Sequence, residues 1–181
     1  MAGSVRAYGE KGVELSEALT GAMFGGASYR FNDALSLGPG LGVVGQLEDN
    51  PLYFPIIVVD WNITEKLNFS TGGGMGSTVG PGLILTYKVS RHWNVGLGGR
   101  YEKKRFRLSD GGIVSNGVGE DQSVPIFGTV SYVLYPGTQI SGLIGINLNG
   151  RFEIEDENGN TLYSREYGTS VFSGITVSAR F

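Results

Sequence analysis

At 181 residues, with 14 Lys and Arg against 17 Asp and Glu, the chain carries a formal net charge of −3 and a single histidine. That balance excludes the basic stripe by which nucleic acid is bound, and the absence of cysteine excludes a disulfide framework, a thiolate nucleophile and a cysteine metal site. Only 17% of the residues are charged and 31 are glycine, against usual shares of about 25% and about 7%, so a water-facing sheet rich in Lys and Glu is excluded as well.

Met1-Ala2-Gly3-Ser4 lacks a basic region followed by an apolar stretch. Residues 1–17 are therefore read as an appended start plus a first strand over 5–10, on a mature chain whose export signal has been removed. A short amphipathic helix through Leu15-Ser16-Glu17-Ala18 is the alternative for that stretch. Strands then follow over 18–31, 34–47, 54–63, 67–75, 81–89, 93–107, 123–135, 138–155 and 168–181. Short polar turns at Asn32-Asp33, Thr64-Glu65-Lys66, Ser90-Arg91-His92 and Pro136-Gly137-Thr138 alternate with longer connections at 48–53, 75–80, 108–122 and 156–167. The count is about ten strands, with eight as the alternative, in one domain over 1–181. No run of about 18 apolar residues offers a membrane helix.

Every strand has one oily side. Ile57, Val59, Trp61 and Ile63 oppose Asp60 and Asn62; Leu83, Leu85, Tyr87 and Val89 oppose Thr86 and Lys88; Ile140, Ile144, Ile146 and Leu148 oppose Gln139, Asn147, Asn149 and Arg151. Alternation alone fits either a lipid-facing or a core-facing oily side. Three features select lipid. The polar side carries mainly Gly, Ser, Thr and Asn, as a crowded interior requires. Phe31, Trp61, Tyr87, Trp93, Tyr132 and Phe181 gather on the oily side near the short turns, as a membrane girdle does. The last strand alternates up to a terminal Phe181. The expected fold is all-β, a transmembrane up-and-down antiparallel β-barrel, with short turns on the periplasmic side and longer loops outside.

The closing Ile175-Thr176-Val177-Ser178-Ala179-Arg180-Phe181 and the alternating strands over most of the chain resemble bacterial outer-membrane β-barrel proteins. Gly117-Val118-Gly119-Glu120-Asp121-Gln122-Ser123-Val124-Pro125 also looks like loop segments of uncharacterised outer-membrane barrels. The resemblance implies a location in the outer membrane of Gram-negative bacteria and recognition of residues 173–181 by the barrel assembly machinery. It implies no reaction, and it suggests trimming at the amino-terminal side.

Catalytic motifs are not found. His92 stands in a short turn beside Trp93, away from the outer rim, so the usual general base is missing where an outer-membrane hydrolase would place it. Asp156-Glu157-Asn158-Gly159-Asn160 lacks the glycine and glutamate of a calcium loop and reads as a hairpin tip. Gly72-Gly73-Gly74-Met75-Gly76 lacks the Lys-Ser/Thr ending and following helix of a phosphate loop. No enzyme activity, cofactor or metal is expected.

Charge placement yields the functional expectations. Arg30, Asp60, Lys88 and Arg180 form a lumen layer near the short turns, and Arg100, Glu102, Arg151 and Glu153 form another near the long loops. Such groups must pair or meet water. Lys103, Arg105 and Arg107 are expected to project outward, where lipopolysaccharide phosphates would meet them. The leading expectation is a narrow, porin-like passive channel for small solutes. The alternative is a non-conducting structural or adhesive barrel acting through loops 108–122 and 156–167. A soluble ligand-binding barrel is disfavoured by the oily faces.

Overall fold

The computed structural model describes residues 2–14, 16, 18–47, 49–71, 82–109, 111, 114, 115 and 117–179. These contain thirteen strand segments and no helix: β1 (Ala2–Ala7), β2 (Leu19–Gly26), β3 (Tyr29–Arg30), β4 (Leu35–Gln46), β5 (Asp49–Asn62), β6 (Leu67–Thr71), β7 (Gly82–Lys88), β8 (Trp93–Arg100), β9 (Glu102–Arg107), β10 (Val118–Tyr135), β11 (Thr138–Glu155), β12 (Thr161–Tyr167) and β13 (Ser170–Ala179). They form one antiparallel sheet in the order β1-β2-β4-β5-β6-β7-β8-β10-β11-β12. Three short segments share an edge with a neighbour: β3 continues β2 along β4, β9 continues β8 along β10, and β13 continues β12 along β11.

The four short turns stand where the punctuation residues place them. In three of them the first polar side chain closes the turn. Asn32 Oδ1 accepts from the Ala34 and Leu35 amides at 2.9 and 2.8 Å, Thr64 Oγ1 from Lys66 and Leu67 at 3.2 and 3.0 Å, and Ser90 Oγ from His92 and Trp93 at 3.3 and 3.2 Å. In the fourth, Gly137 adopts a φ of 88°, which its missing Cβ permits.

The opposite end differs from expectation. The connection expected over 48–53 is tight, since Gln46 pairs with Asp49. Residues 118–122 are strand, and 161–167 are strand β12, leaving only 156–160 as a hairpin tip. The connection expected at 75–80 lies outside the described residues. At this end residues 8–10 also bridge distant strands: Tyr8 donates to the Ala18 carbonyl, and Glu10 to that of Arg107, with Gly9 and Arg107 in parallel register. The first strand thus spans 2–7 rather than 5–10. Around the alternative helix, Leu15 and Glu17 lie outside the described residues, and 11–12 form a turn.

Burial is inverted relative to a water-soluble sheet. Ile57, Leu83, Leu97, Ile144 and Ile175 are exposed, Ile175 to 81%, whereas Ser123, Thr129 and Ser141 are buried, Ser141 to 2%. Ser141 Oγ donates to Ser131 Oγ across the β10–β11 pair at 2.8 Å. The face opposite the oily one carries rings laid over glycines on the neighbouring strand: Phe54 over Gly42, Phe106 over Gly119, Phe127 over Gly98, Tyr167 over Gly150 and Phe172 over Gly145. A Cβ on Gly119 would lie 2.2 Å from Phe106 Cζ. Gly119→Ala therefore forces that ring aside, and overpacking of this kind costs about 1–3 kcal/mol. Urea unfolding of the refolded variant checks this, and an unshifted midpoint would show that the ring is not packed there.

Of the buried apolar residues, Ala22 and Phe127 lie along β2 and β10, whereas Ala18, Leu47, Leu108 and Val118 gather at the long-loop end. The molecule thus has a sheet with an exposed oily face, surmounted by a small core of the kind found in water.

Candidate functional site

The exposed face has two aromatic borders. Near the short turns stand Trp61, Tyr87, Trp93 and Tyr132, all exposed, with Trp93 and Tyr132 opposite one another and their rings 4.9 Å apart. His92 stacks on Tyr132 from the turn, at 5.9 Å. Phe181 lies outside the described residues. The second border went unnoticed in the sequence. Tyr53 precedes Trp61 by eight residues on β5, and Tyr101 follows Trp93 by eight just beyond β8, so each Tyr shares a face with its Trp and both are exposed. Eight residues of strand span roughly 26 Å. Pro55, Ile57 and Val59 fill the interval on one strand, and Val95, Leu97 and Gly99 on the other. The readable signal was the repeated Trp-to-Tyr spacing.

Beyond Tyr101 the same face turns from oil to charge. Tyr101 Oη donates to Gln122 Oε1 at 3.2 Å, and above that contact stand Lys103, Arg105, Glu120, Glu153 and Glu155. Arg105 is the centre. Its Nε donates to the Leu47 carbonyl at 3.1 Å, Nη1 to Glu120 Oε2 at 2.6 Å, and Nη2 to Glu155 Oε2 at 2.5 Å. Lys103 Nζ lies 3.0 Å from the same Glu120 oxygen, and Gln122 Nε2 donates to the other. Glu120 is 2% exposed. Planar forks and carboxylates match in this way where charges leave water.

Two expectations are corrected here. Arg105 does not project outward for phosphates; two carboxylates and a backbone carbonyl engage it, because Leu47 and β11 cover that part of the face. Lys103 is likewise held by Glu120, and Arg107 is only half-exposed, its backbone bound by Tyr8 and Glu10. Arg151 and Glu153 do not share a face of the sheet with Arg100 and Glu102. Asn149 takes a left-handed φ of 50° inside β11, and the β10–β11 register shifts between Val124–Leu148 and Gln122–Arg151. The bulge moves the following residues to the opposite face. Arg151 Nε therefore pairs with Glu153 at 3.2 Å beside Gln122 and Glu120, with the Arg151 side chain half-exposed.

The opposite face of the sheet near the same end holds Arg100, Glu102 and Lys104. Glu102 accepts from Arg100 Nε at 2.7 Å and lies 2.9 Å from Lys104 Nζ, with the Arg100 guanidinium 5.1 Å from the centre of the Phe127 ring. Tyr167 Oη donates to Asp121 Oδ1, and Phe106 faces Phe152 at 6.0 Å. At the short-turn end Arg30, Asp60 and Lys88 are exposed, and Asp60 Oδ1 accepts from Asn68 Nδ2 at 2.7 Å. Arg180 lies outside the described residues. The structure thus joins Arg100 with Glu102 and Arg151 with Glu153, but on opposite faces.

The tip at 156–160 folds around Asp156, whose carboxylate accepts from the Asn160 side chain and from the Asn160 and Asn158 amides; these bonds hold its pKa below the usual value. Among the described residues no group of three or more acidic or histidine side chains is placed to hold a metal ion. Comparison of the chain with protein-family models, curated proteins and solved structures gives no match.

Proposed function

We propose that the chain closes into a single ten-stranded barrel in the bacterial outer membrane, its oily face in lipid and its long-loop end outside. Counting β2–β3, β8–β9 and β12–β13 each as one strand reduces thirteen segments to ten. The observation that carries the reading is the exposed apolar face bordered by two aromatic bands. Their separation of roughly 26 Å along the strand, about 20 Å in height at the usual tilt, approaches the apolar band about 25 Å tall of such barrels.

Within that reading the barrel is non-conducting and non-enzymatic, and acts structurally or adhesively through the β9–β12 rim at the cell surface. Support comes from the interior, where Glu102 ties Arg100 and Lys104 together beside Phe127. The partners are lipid and lipopolysaccharide, with half-exposed Arg151 as the cation for phosphate contact, and the assembly machinery at residues 173–181. A second reading, a narrow passive channel, draws on the exposed polar layer of Arg30, Asp60 and Lys88.

Planar-bilayer recording of the refolded chain tests the choice. The native protein is expected to be silent, and the Arg100→Ala, Glu102→Ala double variant to show discrete steps. Steps from the native protein overturn the blocked reading and favour the channel. Folding in buffer without detergent or lipid overturns the membrane reading itself.

A further inference from the structure

We infer that β1 and β13 are each other's partners and pair antiparallel in one register, with Val5 opposite Ile175. This rests on the barrel reading and specifies its seam. Among the described residues β1 pairs with β2 and with no other strand, and β13 with β11 and no other. Each therefore has one open edge, a row of amides and carbonyls that lipid leaves unsatisfied. In an antiparallel sheet of ten strands the first and last run in opposite directions, as an antiparallel seam needs.

The register follows from the slip that accumulates around the sheet. One row of directly opposed residues crosses it from Arg30 through Asp60, Ile84 and Phe127 to Phe172. On β4, β3 keeps the register of β2, and Arg30 lies six residues beyond Phe24, the partner of Ala2. The row therefore meets the line of β1 six residues before Ala2. Ten strands about 4.8 Å apart make a girth of about 48 Å, and a tilt of about 35–45° then needs a slip of about 34–48 Å, or roughly 10–14 residues. An odd slip would exchange the faces. A slip of about 12 residues gives a tilt of about 40°, the middle of the range. Six of those residues separate Phe24 from Arg30, and six more separate Phe172 from Ser178, so Ala2 meets Ser178, Val5 meets Ile175 and Ala7 meets Ser173. The same slip in the other sense would set Ala2 against Ile154, which β10 and β12 already flank. The faces agree as well. Ile175 is exposed on the oily side, and Val5 takes the register position of Gly21, between the exposed Leu19 and Met23. The seam ends at Ala7, because Tyr8 and Glu10 bond to Arg107 on β9.

The chain has no cysteine, so paired substitutions report the seam without background. Opposed residues stand about 4.5–5.5 Å apart between Cα atoms, within disulfide reach, whereas residues two positions along lie about 7–8 Å away and beyond it. Val5→Cys is combined in turn with Ser173→Cys, Ile175→Cys and Val177→Cys, refolded into lipid vesicles and oxidised. The pair with Ile175→Cys should link within one chain at least tenfold faster than either neighbour. Faster linking to Ser173→Cys or Val177→Cys overturns the register and leaves closure standing. Absence of a link within the chain in all three pairs overturns closure and the barrel reading with it. In the unsubstituted chain in lipid, a through-space NMR contact between the backbones of Val5 and Ile175 should appear, and contacts of Val5 to Ser173 or Val177 in its place overturn the register without any variant having to fold.

Discussion

Leu97→Arg should destabilise the refolded protein by about 2–4 kcal/mol in lipid, the cost of a cation near the middle of a bilayer on a barrel's outer face. Leu97 is 60% exposed, midway between Trp93 and Tyr101 on one face of the strand. On a water-facing surface such a residue tolerates exchange within about 0.5 kcal/mol. The same substitution therefore weighs two media against each other. Urea unfolding in lipid vesicles measures it, and a change under about 0.5 kcal/mol would place Leu97 in water and remove the membrane reading. Arginine at Tyr101, on the same face four residues along, should cost far less, because the penalty falls towards the interface.

Removing Glu120 should cost about 3–5 kcal/mol, since truncating one partner of a buried ionic cluster leaves the others uncompensated. In Glu120→Ala, Lys103 and Arg105 lose the carboxylate they share, and Gln122 loses its acceptor. Glu155 still engages Arg105, so the variant should fold with a lowered urea midpoint. A loss below about 1 kcal/mol is what a solvent-exposed pair gives, and that result would contradict the buried position of the cluster.

Turns and strand faces were legible wherever one side of a strand is oily. The stretch 138–148 shows its exposed oily face in Ile140, Ile144 and Ile146, and the short turns show Asn32, Thr64 and Ser90 as closing side chains. Legibility ended where both faces become polar. Residues 102–107, 118–122 and 161–167 carry charges and aromatics on either side, so period-two alternation fades, and of these only 102–107 was read as strand. Their folding is dictated by partners far along the chain, such as Leu47 for Arg105. The exchange of faces at Asn149 had no hydrophobic signature at all, which is why Arg151 and Glu153 were expected inside. Asn is among the few side chains that tolerate a left-handed backbone, and Asn149-Gly150 before a charged run was the available hint. The ring-over-glycine pairs were hidden for a different reason: glycine abundance was plain, but its partner is named only by register.

The inverted burial also dictates the order in which the molecule can assemble. Folding in water draws its main driving force from taking oily groups out of contact with solvent, yet here Ile57, Leu97, Ile144 and Ile175 are left on the surface of the finished sheet. On the proposed membrane reading, the medium that covers them must be present before the ladder is worth forming. Neighbouring hairpins close short loops and are quick to pair. The contacts of the far end, Arg105 with Leu47 and Glu10 with Ser109, join residues 58 and 99 positions apart. Those long closures come late, so the polar summit is completed only after the strands beneath it have found their places.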